Sequence, residues 1–425
     1  MSRKNKYIKE FHDYVKKTPM TEKEKEALWE WVLHGNSVHD NPSMASDDHN
    51  NSADFLEDYR YHEEISQQLE KLAGKDKENY LARLRGEDTI DTLREIEGIH
   101  MKAILVNDDK SLRWDDVPNP ILSENDVLIK VEYAALNRAD LMQREGDYPP
   151  PEGCPEWMGL EVSGEIVEMS DGAKDKSGYK IGDKVCALLG GGGYAEYVSV
   201  KYDMCMPVPK NCTMAEAAAI PEAFATAYLK LFVEGHAKAG DTLLMQAGAS
   251  GLASVIIPMA KAFGLRVITT VISDPEKIKH LGADLVVDTR VQDLPSVLKD
   301  EEAAGRAIDI AIDCLGGSNL GECLPYVRYG CRWIVIAALA GANTTIDLKN
   351  IYKKNIRIVG STLRSRTPEM KASILSNLVK DVWEKVESGE VKPTVYKILP
   401  ITEAEAAHDI LCRGENVGKV VLKVR

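Results

Sequence analysis

From Thr226 to Arg364 the chain repeats one texture: TLLMQA, a helix closing at Gly264, RVITTV, a helix to Leu281, LVVD, a helix to Ala304, AIDIAIDCL, a helix near 319–329, and RWIVIAAL. Short apolar strands that alternate with helical runs imply a parallel sheet covered by helices on both faces. The first strand-to-helix corner reads MQAGASGLAS. In a dinucleotide fold such a corner needs a glycine for the tight turn and a second so that backbone can approach a diphosphate. A small third residue lets the helix pack on the strand. Gly248, Gly251 and Ala253 fall in these places. The main-chain amides of Gly248, Ala249, Ser250, Gly251 and Leu252, at the head of the next helix, are the predicted diphosphate ligands.

The rest of the chain has other textures. Residues 101–220 hold MKAILV, DVLIKVEYAAL, EVSGEIVEM, DKVCALL and AEYVSV, short β-rich runs broken by Gly, Pro and Asp, which predict an all-β unit. The last sixty residues are mixed and end in the strand KVVLKV. The predicted organisation is therefore a helical extension over 1–98, a β-rich catalytic domain over 99–225 rejoined by 366–425, and a doubly wound nucleotide-binding domain over 226–365. The extension reads as all-helical: Thr21-Glu22-Lys23-Glu24 fits a capping box, and several short helical runs each close on a glycine. It carries 15 Lys+Arg against 22 Asp+Glu, a net of −7 out of the chain's −14. Trp29, Trp31, Leu28 and Val32 form an apolar helix face, for packing on the body, a second subunit or a partner.

A net charge of −14 argues against nucleic acid and against anionic membrane surfaces. No apolar run reaches the ~18 residues of a membrane span, and the N-terminus lacks the apolar core of a secretory signal. The eight cysteines form no C-x-x-C pair, which points to buried reduced thiols and a cytoplasmic protein.

Cofactor choice is read after the second strand, at VISDPEK. An acidic residue at the strand end binds a ribose diol, whereas a hydroxyl and an ammonium suit a 2′-phosphate. Ser273 comes first and Lys277 follows one turn later, so NADPH is favoured, with Asp274 leaving NADH open.

The stretches ALNRADLMQREGDYPPPEG, MGLEVSGEIVEM, GDKVCALLGGGGYAEYVSV, IPEAFATAYLKL, GASGLASVIIPMAKAFG, IVGSTLRSRTPEMK and NVGKVVLKV run through residues 101–425. They resemble the zinc-free quinone oxidoreductases, the zeta-crystallin-like branch of the medium-chain dehydrogenase/reductase superfamily. The resemblance implies an α/β protein with a GroES-like β-rich catalytic domain and a Rossmann doubly wound parallel-sheet domain, and it leaves the helical extension outside. In zinc-dependent relatives a Cys and a His hold the catalytic metal at positions matched here by Asn137 and Leu160. An amide and an alkyl group make no zinc site, so no metal is expected. The family further implies Asn137 and Tyr148 in the nicotinamide pocket with Thr226 beside them, and Leu363, Arg364, Asn416 and Lys419 on the cofactor side. Thr289 stands where a tyrosine commonly follows the third strand, and Ala338 lies in what is usually a glycine-rich loop after the fifth. Pro258 falls inside the helix after the glycine corner, where it removes one helix hydrogen bond. From the residues alone, Asn137 also suits a helix cap and Tyr148 suits packing against its prolines. Both roles stand at this point.

No nucleophile–base pair is evident. His236, His280 and His408 fall in helical stretches and read as surface or capping residues. The expectation is an NADPH-dependent reductase that passes hydride to a quinone by proximity and orientation, without metal. Enone reduction on the same fold is a second reading. A nucleotide-sensing protein that uses its helical arm to bind a partner is a third. The family implies a homodimer or homotetramer.

Overall fold

The computed structural model describes residues 100–425, and residues 99–425 form one unit. The helices, the capping box at Thr21 and the tryptophan face expected over 1–98 lie outside the described residues.

A hairpin of β1 (His100–Val106) and β2 (Leu112–Pro118) opens this unit. It is followed by β3 (Asp126–Ala135), α1 (Arg138–Glu145), β4 (Glu161–Met169), α2 (Asp171–Lys176), β5 (Lys184–Leu188), β6 (Tyr197–Lys201) and β7 (Cys205–Pro207). Helices α3 (Met214–Ala218) and α4 (Pro221–Tyr228) come next, and α4 runs on into a π-helical turn over Leu229–Glu234. β3 alternates its inward residues Val127, Ile129 and Val131, all fully buried, with more accessible neighbours. That is the pattern of a strand with one face in a core.

The alternating region folds as β8 (Thr242–Met245), α5 (Ala253–Ala262), β9 (Arg266–Val271), β10 (Leu285–Asp288), α6 (Leu294–Ala303), β11 (Ile310–Asp313), α7 (Ser318–Cys323), β12 (Arg332–Val335), α8 (Leu348–Lys354) and β13 (Arg357–Gly360). The six strands pair in parallel in the order β10-β9-β8-β11-β12-β13. The chain reverses its winding between β8 and β11, so the crevice at their C-terminal ends is where such a sheet binds ligands. Helix α5 runs through Pro258. The short second connection is a 3₁₀-helix, Pro275–Leu281, with Asp274 at its head and the left-handed Gly282 at its foot.

The chain then returns through α9 (Pro368–Glu387), β14 (Val395–Pro400), α10 (Ala404–Arg413) and β15 (Lys419–Lys423). Thr367 accepts a hydrogen bond from the Met370 N–H, and Pro368 at the first helical position starts α9 cleanly. Its stripe Ile374, Leu378, Val382 and Val386 is buried in a core shared with α4, α5 and with Met204 and Met206 of the β-rich part. β15 pairs antiparallel with β3 and parallel with β14, which closes a seven-stranded path β14-β15-β3-β4-β5-β7 with β6 on β3. The ends of β15, β3 and β4 are thereby brought beside the glycine corner. No helix among the described residues is long and apolar enough to cross a membrane.

Candidate active site

The corner after β8 is tighter than its glycines suggest. Its left-handed residue is Ala247, with φ +55°, whose N–H donates to Thr270 Oγ1 at 3.0 Å. Gly248 has ordinary backbone geometry but no room. A Cβ there would lie 2.5 Å from Thr269 Oγ1 and 2.8 Å from Ile278 Cδ1. Gly248 therefore serves close packing on β9, while the turn itself is made one residue earlier. Ser250 Oγ accepts from the Ala253 N–H at 3.1 Å and starts α5. Leu252 is part-buried against the core. At Gly251 a Cβ would sit 3.3 Å from Lys419 Cδ and 3.4 Å from the Gly418 carbonyl. The predicted diphosphate corner and the NVGK segment are thus in contact.

Lys419 leads from that corner into a buried polar cluster. Its ammonium donates to Asn137 Oδ1 at 2.6 Å and pairs with Glu161 Oε1 at 2.6 Å, the two charged side chains being 5% and 0% exposed. Asn137 Nδ2 donates to the same Glu161 oxygen at 3.0 Å. The amide orientation is fixed by its neighbours: the oxygen faces the one donor and the nitrogen faces the carboxylate. Glu161 Oε2 accepts the Glu222 N–H at 2.9 Å, which draws the first turn of α4 onto the cluster. Asn137 takes the helix-capping position that the residues alone suggested. It is the N-cap residue of α1, its own N–H donating to Asp140 Oδ2 at 2.7 Å, while its side chain joins the site.

Asp140 lies on the first turn of α1. Its carboxyl accepts from Asn137 N–H, from Gly159 N–H at 3.1 Å and from Tyr194 Oη at 3.0 Å. Burial lifts it to about 6, and these donors limit the rise. Glu222 is pushed up to about 7, chiefly by burial and then by the charge of Glu161, with Lys419 opposing.

Tyr148 stands on the loop after α1. The Arg364 guanidinium lies over its ring, 4.5 Å from the centroid, a cation–π contact. Arg364 also donates to the carbonyls of Tyr148 (3.3 Å) and Gly190 (2.9 Å) and to Gln143 Oε1 (3.0 Å). It ties the Tyr148 loop to the glycine-rich loop of 190–193. Burial raises the Tyr148 phenol.

The other expected residues are dispersed. Thr226 is part-buried on α4, within the element that carries Glu222. Leu363 is buried in the core. Asn416 donates from Nδ2 to the Gly418 carbonyl at 2.7 Å, so its amide shapes the loop that Lys419 leaves. At the far end of the crevice Ser273 is part-buried and Lys277 exposed. The Asp274 carboxylate is taken by the Glu276 N–H at 3.0 Å. Thr289 spends its hydroxyl on the Val271 carbonyl at 3.1 Å. Ala338 is exposed in the loop after β12, which is knitted to the loop after β11 by Gly317 N–H to the Gly341 carbonyl at 2.9 Å. The buried Asp313 holds the latter loop by accepting from the N–H groups of Leu315 and Gly316 at 2.8 and 2.9 Å.

The histidine reading needs correction. His408 is not a surface residue: it is fully buried on α10, edge-on to Tyr194, with neither ring nitrogen hydrogen-bonded. His236 lies in the loop beyond the π-helical turn at φ +45°, and His280 is exposed on the 3₁₀-helix. Sequence reasoning also missed Glu161, Glu222, Asp140 and Arg290. Charged residues at the edge of the apolar runs GLEVSG and IPEAF were the available signal for the first two. Among the described residues no group of three or more His, Cys, Asp and Glu is arranged to hold a metal ion.

A β-rich domain and a doubly wound domain, with a glycine corner in contact with a buried polar cluster, define the two-domain dehydrogenase class. Residues 123–210 match the alcohol dehydrogenase GroES-like domain, and residues 251–380 match the zinc-binding dehydrogenase domain. The chain is 29% identical over 311 residues to a quinone oxidoreductase of Rattus norvegicus, covering 72% of this chain and 92% of that one. It is 28% identical over 331 residues to the highly reducing polyketide synthase cm3B of Cordyceps militaris, covering 74% of this chain but only 12% of that much longer protein. The solved quinone oxidoreductase of Thermus thermophilus, described also in its complex with NADPH, superposes with a TM-score of 0.63 at 29% identity, over 76% of this chain and 100% of the other. The chain belongs to the quinone oxidoreductase-like branch of the medium-chain dehydrogenase/reductase superfamily and is an oxidoreductase of that superfamily.

Proposed function

We propose that this protein is an NADPH-dependent reductase that passes hydride to a quinone or a similarly activated acceptor without a metal. One observation carries the reading: Lys419 packs on Gly251 of the phosphate corner and ends on Asn137 and Glu161, so the cofactor seat and the polar pocket are one continuous site. The residues fit a dinucleotide. The corner follows the central strand at the switch point and opens helix α5, the place where such a fold holds a diphosphate. When bound, such a cofactor supplies hydride. The protein's part is to hold the acceptor against it, with Asn137 as polar contact and Tyr148 as aromatic wall. Asn137 is committed to Lys419 and Glu161, and Leu160 is a buried alkyl side chain, a pair that supports metal-free chemistry.

The 2′-phosphate end supports NADPH over NADH. Ser273 and Lys277 are available there, Arg290 stands nearby on its ion pair with Asp288 (2.5 Å), and Asp274 is used as a helix cap. The same reading extends to assembly as a homodimer through β13. That strand is the open edge of the six-stranded sheet, and Ile358, Tyr352 and Leu348 beside it are exposed.

The test is a titration of NADPH and NADH by fluorescence, followed by loss of the reduced-nicotinamide absorbance with 1,4-benzoquinone and with 2-cyclohexenone. Saturable NADPH binding with turnover of at least one acceptor is expected. Absence of turnover with both cofactors on both acceptors rejects the activity.

A further inference from the structure

We infer that Lys230, Glu234, Ser361 and Arg366 form a positioning network that holds Arg364 against the Tyr148 ring, and so shapes the aromatic wall that meets the acceptor. The inference rests on the reductase reading above and names the residues that act behind that wall.

The chain passes twice between its β-rich and doubly wound parts: through α4 and the π-helical turn into β8, and back from β13 into α9. A buried polar network joins the two passages. Ser361 Oγ accepts from the Lys230 ammonium and from the Arg366 guanidinium at 3.1 Å, and it donates to Glu234 Oε1 at 2.7 Å. A hydroxyl has one proton and two lone pairs, so that of Ser361 is fully used. Arg366 also pairs with Glu234 Oε1, while Glu234 Oε2 lies 3.7 Å from Lys230 Nζ. Two cations thus share one carboxylate.

Lys230 stands in the apolar run AYLKLF and is 1% exposed. Burial lowers its ammonium to about 8, with Glu234 opposing and Arg366 adding to the fall. It is still charged at neutral pH, and a charge buried in such a run is tolerated only with partners. Those partners come from the other passage. The π-helical turn that carries Lys230 closes with the Gly235 N–H donating to the Lys230 carbonyl at 2.9 Å. A Cβ at Gly235 would lie 2.5 Å from that same oxygen, so the turn needs glycine there.

Arg364 lies between the two residues that the network anchors. Leu363 beside it is buried in the core, and the Arg364 carbonyl accepts from Lys371 Nζ at 2.8 Å. With the main chain of 361–366 fixed in this way, the Arg364 side chain reaches the Tyr148 ring, the carbonyls of Tyr148 and Gly190, and Gln143 Oε1. A cation–π contact weakens beyond about 6 Å from the centroid, so a displacement of about 1–2 Å in this segment loosens the Tyr148 loop.

The experiment measures Lys230→Met, Ser361→Ala, Ser361→Thr and Arg364→Ala in the full-length protein, with NADPH and with 1,4-benzoquinone and 2-cyclohexenone as acceptors. K230M removes the excess cation and keeps the Arg366–Glu234 pair, and S361A disturbs the same network without touching a charge. In both, KM for the acceptor should rise several-fold, with NADPH affinity by fluorescence unchanged and kcat within about twofold of wild type. S361T, which keeps the hydroxyl, should recover the wild-type KM. Combining K230M with R364A should raise KM no further than R364A alone, because both act through one contact. Amide hydrogen exchange over residues 143–154 of the free protein should quicken in K230M, S361A and R364A alike. Unchanged KM in K230M and S361A, or effects that add to that of R364A, overturns the positioning role. Unchanged exchange over 143–154 in K230M and S361A overturns the hold on the Tyr148 loop itself. If the wild type turns over neither acceptor, the reductase reading fails, and quickened exchange still upholds the link from Lys230 to Tyr148.

Discussion

His408 offers a quantitative test of the packing around the site, through the substitution His408→Leu. The ring is fully buried beside Tyr194, with centroids 6.0 Å apart and planes at 73°, and both nitrogens lack hydrogen-bond partners. Burial, and then the nearby Arg144, lower its pKa to about 4 from an ordinary 6.5. The native state therefore holds His408 neutral where the unfolded chain would protonate it. A lowered base weakens the fold as pH falls: the loss begins near 6.5 and is complete once pH has passed below about 4. The gap of about 2.5 units corresponds to roughly 3 kcal/mol at ~1.36 kcal/mol per unit. Leucine has no proton to gain and no orphaned polar atoms, each of which costs about 1–3 kcal/mol when buried. H408L should thus match or exceed wild type in urea midpoint at pH 7.5. Its advantage should widen steadily between pH 6.5 and 4.5. Parallel midpoints across that range would show that His408 is solvated or partnered, and would refute the reasoning.

Gly248→Ala should destabilise by about 1–3 kcal/mol, because its Cβ would collide with Thr269 and Ile278, and should displace the corner enough to abolish NADPH binding; thermal melts and fluorescence titration check both. Arg364→Ala removes the guanidinium from the Tyr148 ring and three hydrogen bonds, two to the loops at Tyr148 and Gly190 and one to Gln143 on α1. KM for the acceptor should rise several-fold in R364A, with cofactor affinity nearly unchanged. Ile358→Pro removes an edge-strand N–H and inserts a ring on β13. Sedimentation should then show monomer where wild type shows dimer, and an unchanged association state would reject the edge-strand interface.

The parts of this protein that were legible in the sequence are those governed by local pattern. Apolar strands alternating with helices fixed the parallel sheet, and the glycines of MQAGASGLAS marked its first corner because close approach needs a residue without a side chain. Even there the assignment within the turn shifted: the left-handed position belongs to Ala247, and Gly248 answers to Thr269, twenty-one residues away in the chain. Nothing local announces such a neighbour. The buried cluster was only half visible for the same reason. Asn137, Glu161, Glu222 and Lys419 come from α1, β4, α4 and β15, and their meeting depends on β15 returning to pair with β3. His408 was misplaced because a histidine on an amphipathic helix reads as exposed unless the facing element is known.

The cluster also explains how a cleft with three carboxyl groups can sit beside a predicted diphosphate seat. Lys419 alone cannot neutralise three anions, and its ammonium is already committed to Glu161 and Asn137. Asp140 is held by two N–H groups and a phenol, so its charge is met by fixed dipoles. Glu222 is left without a donor, and retaining a proton is the least costly way to hold it there. Each carboxyl is thus balanced by a different means: an ammonium, a set of dipoles and a proton. Lys419 is the physical bridge between Gly251 and the carboxyl cluster, so a change at the glycine corner reaches these charges through one side chain.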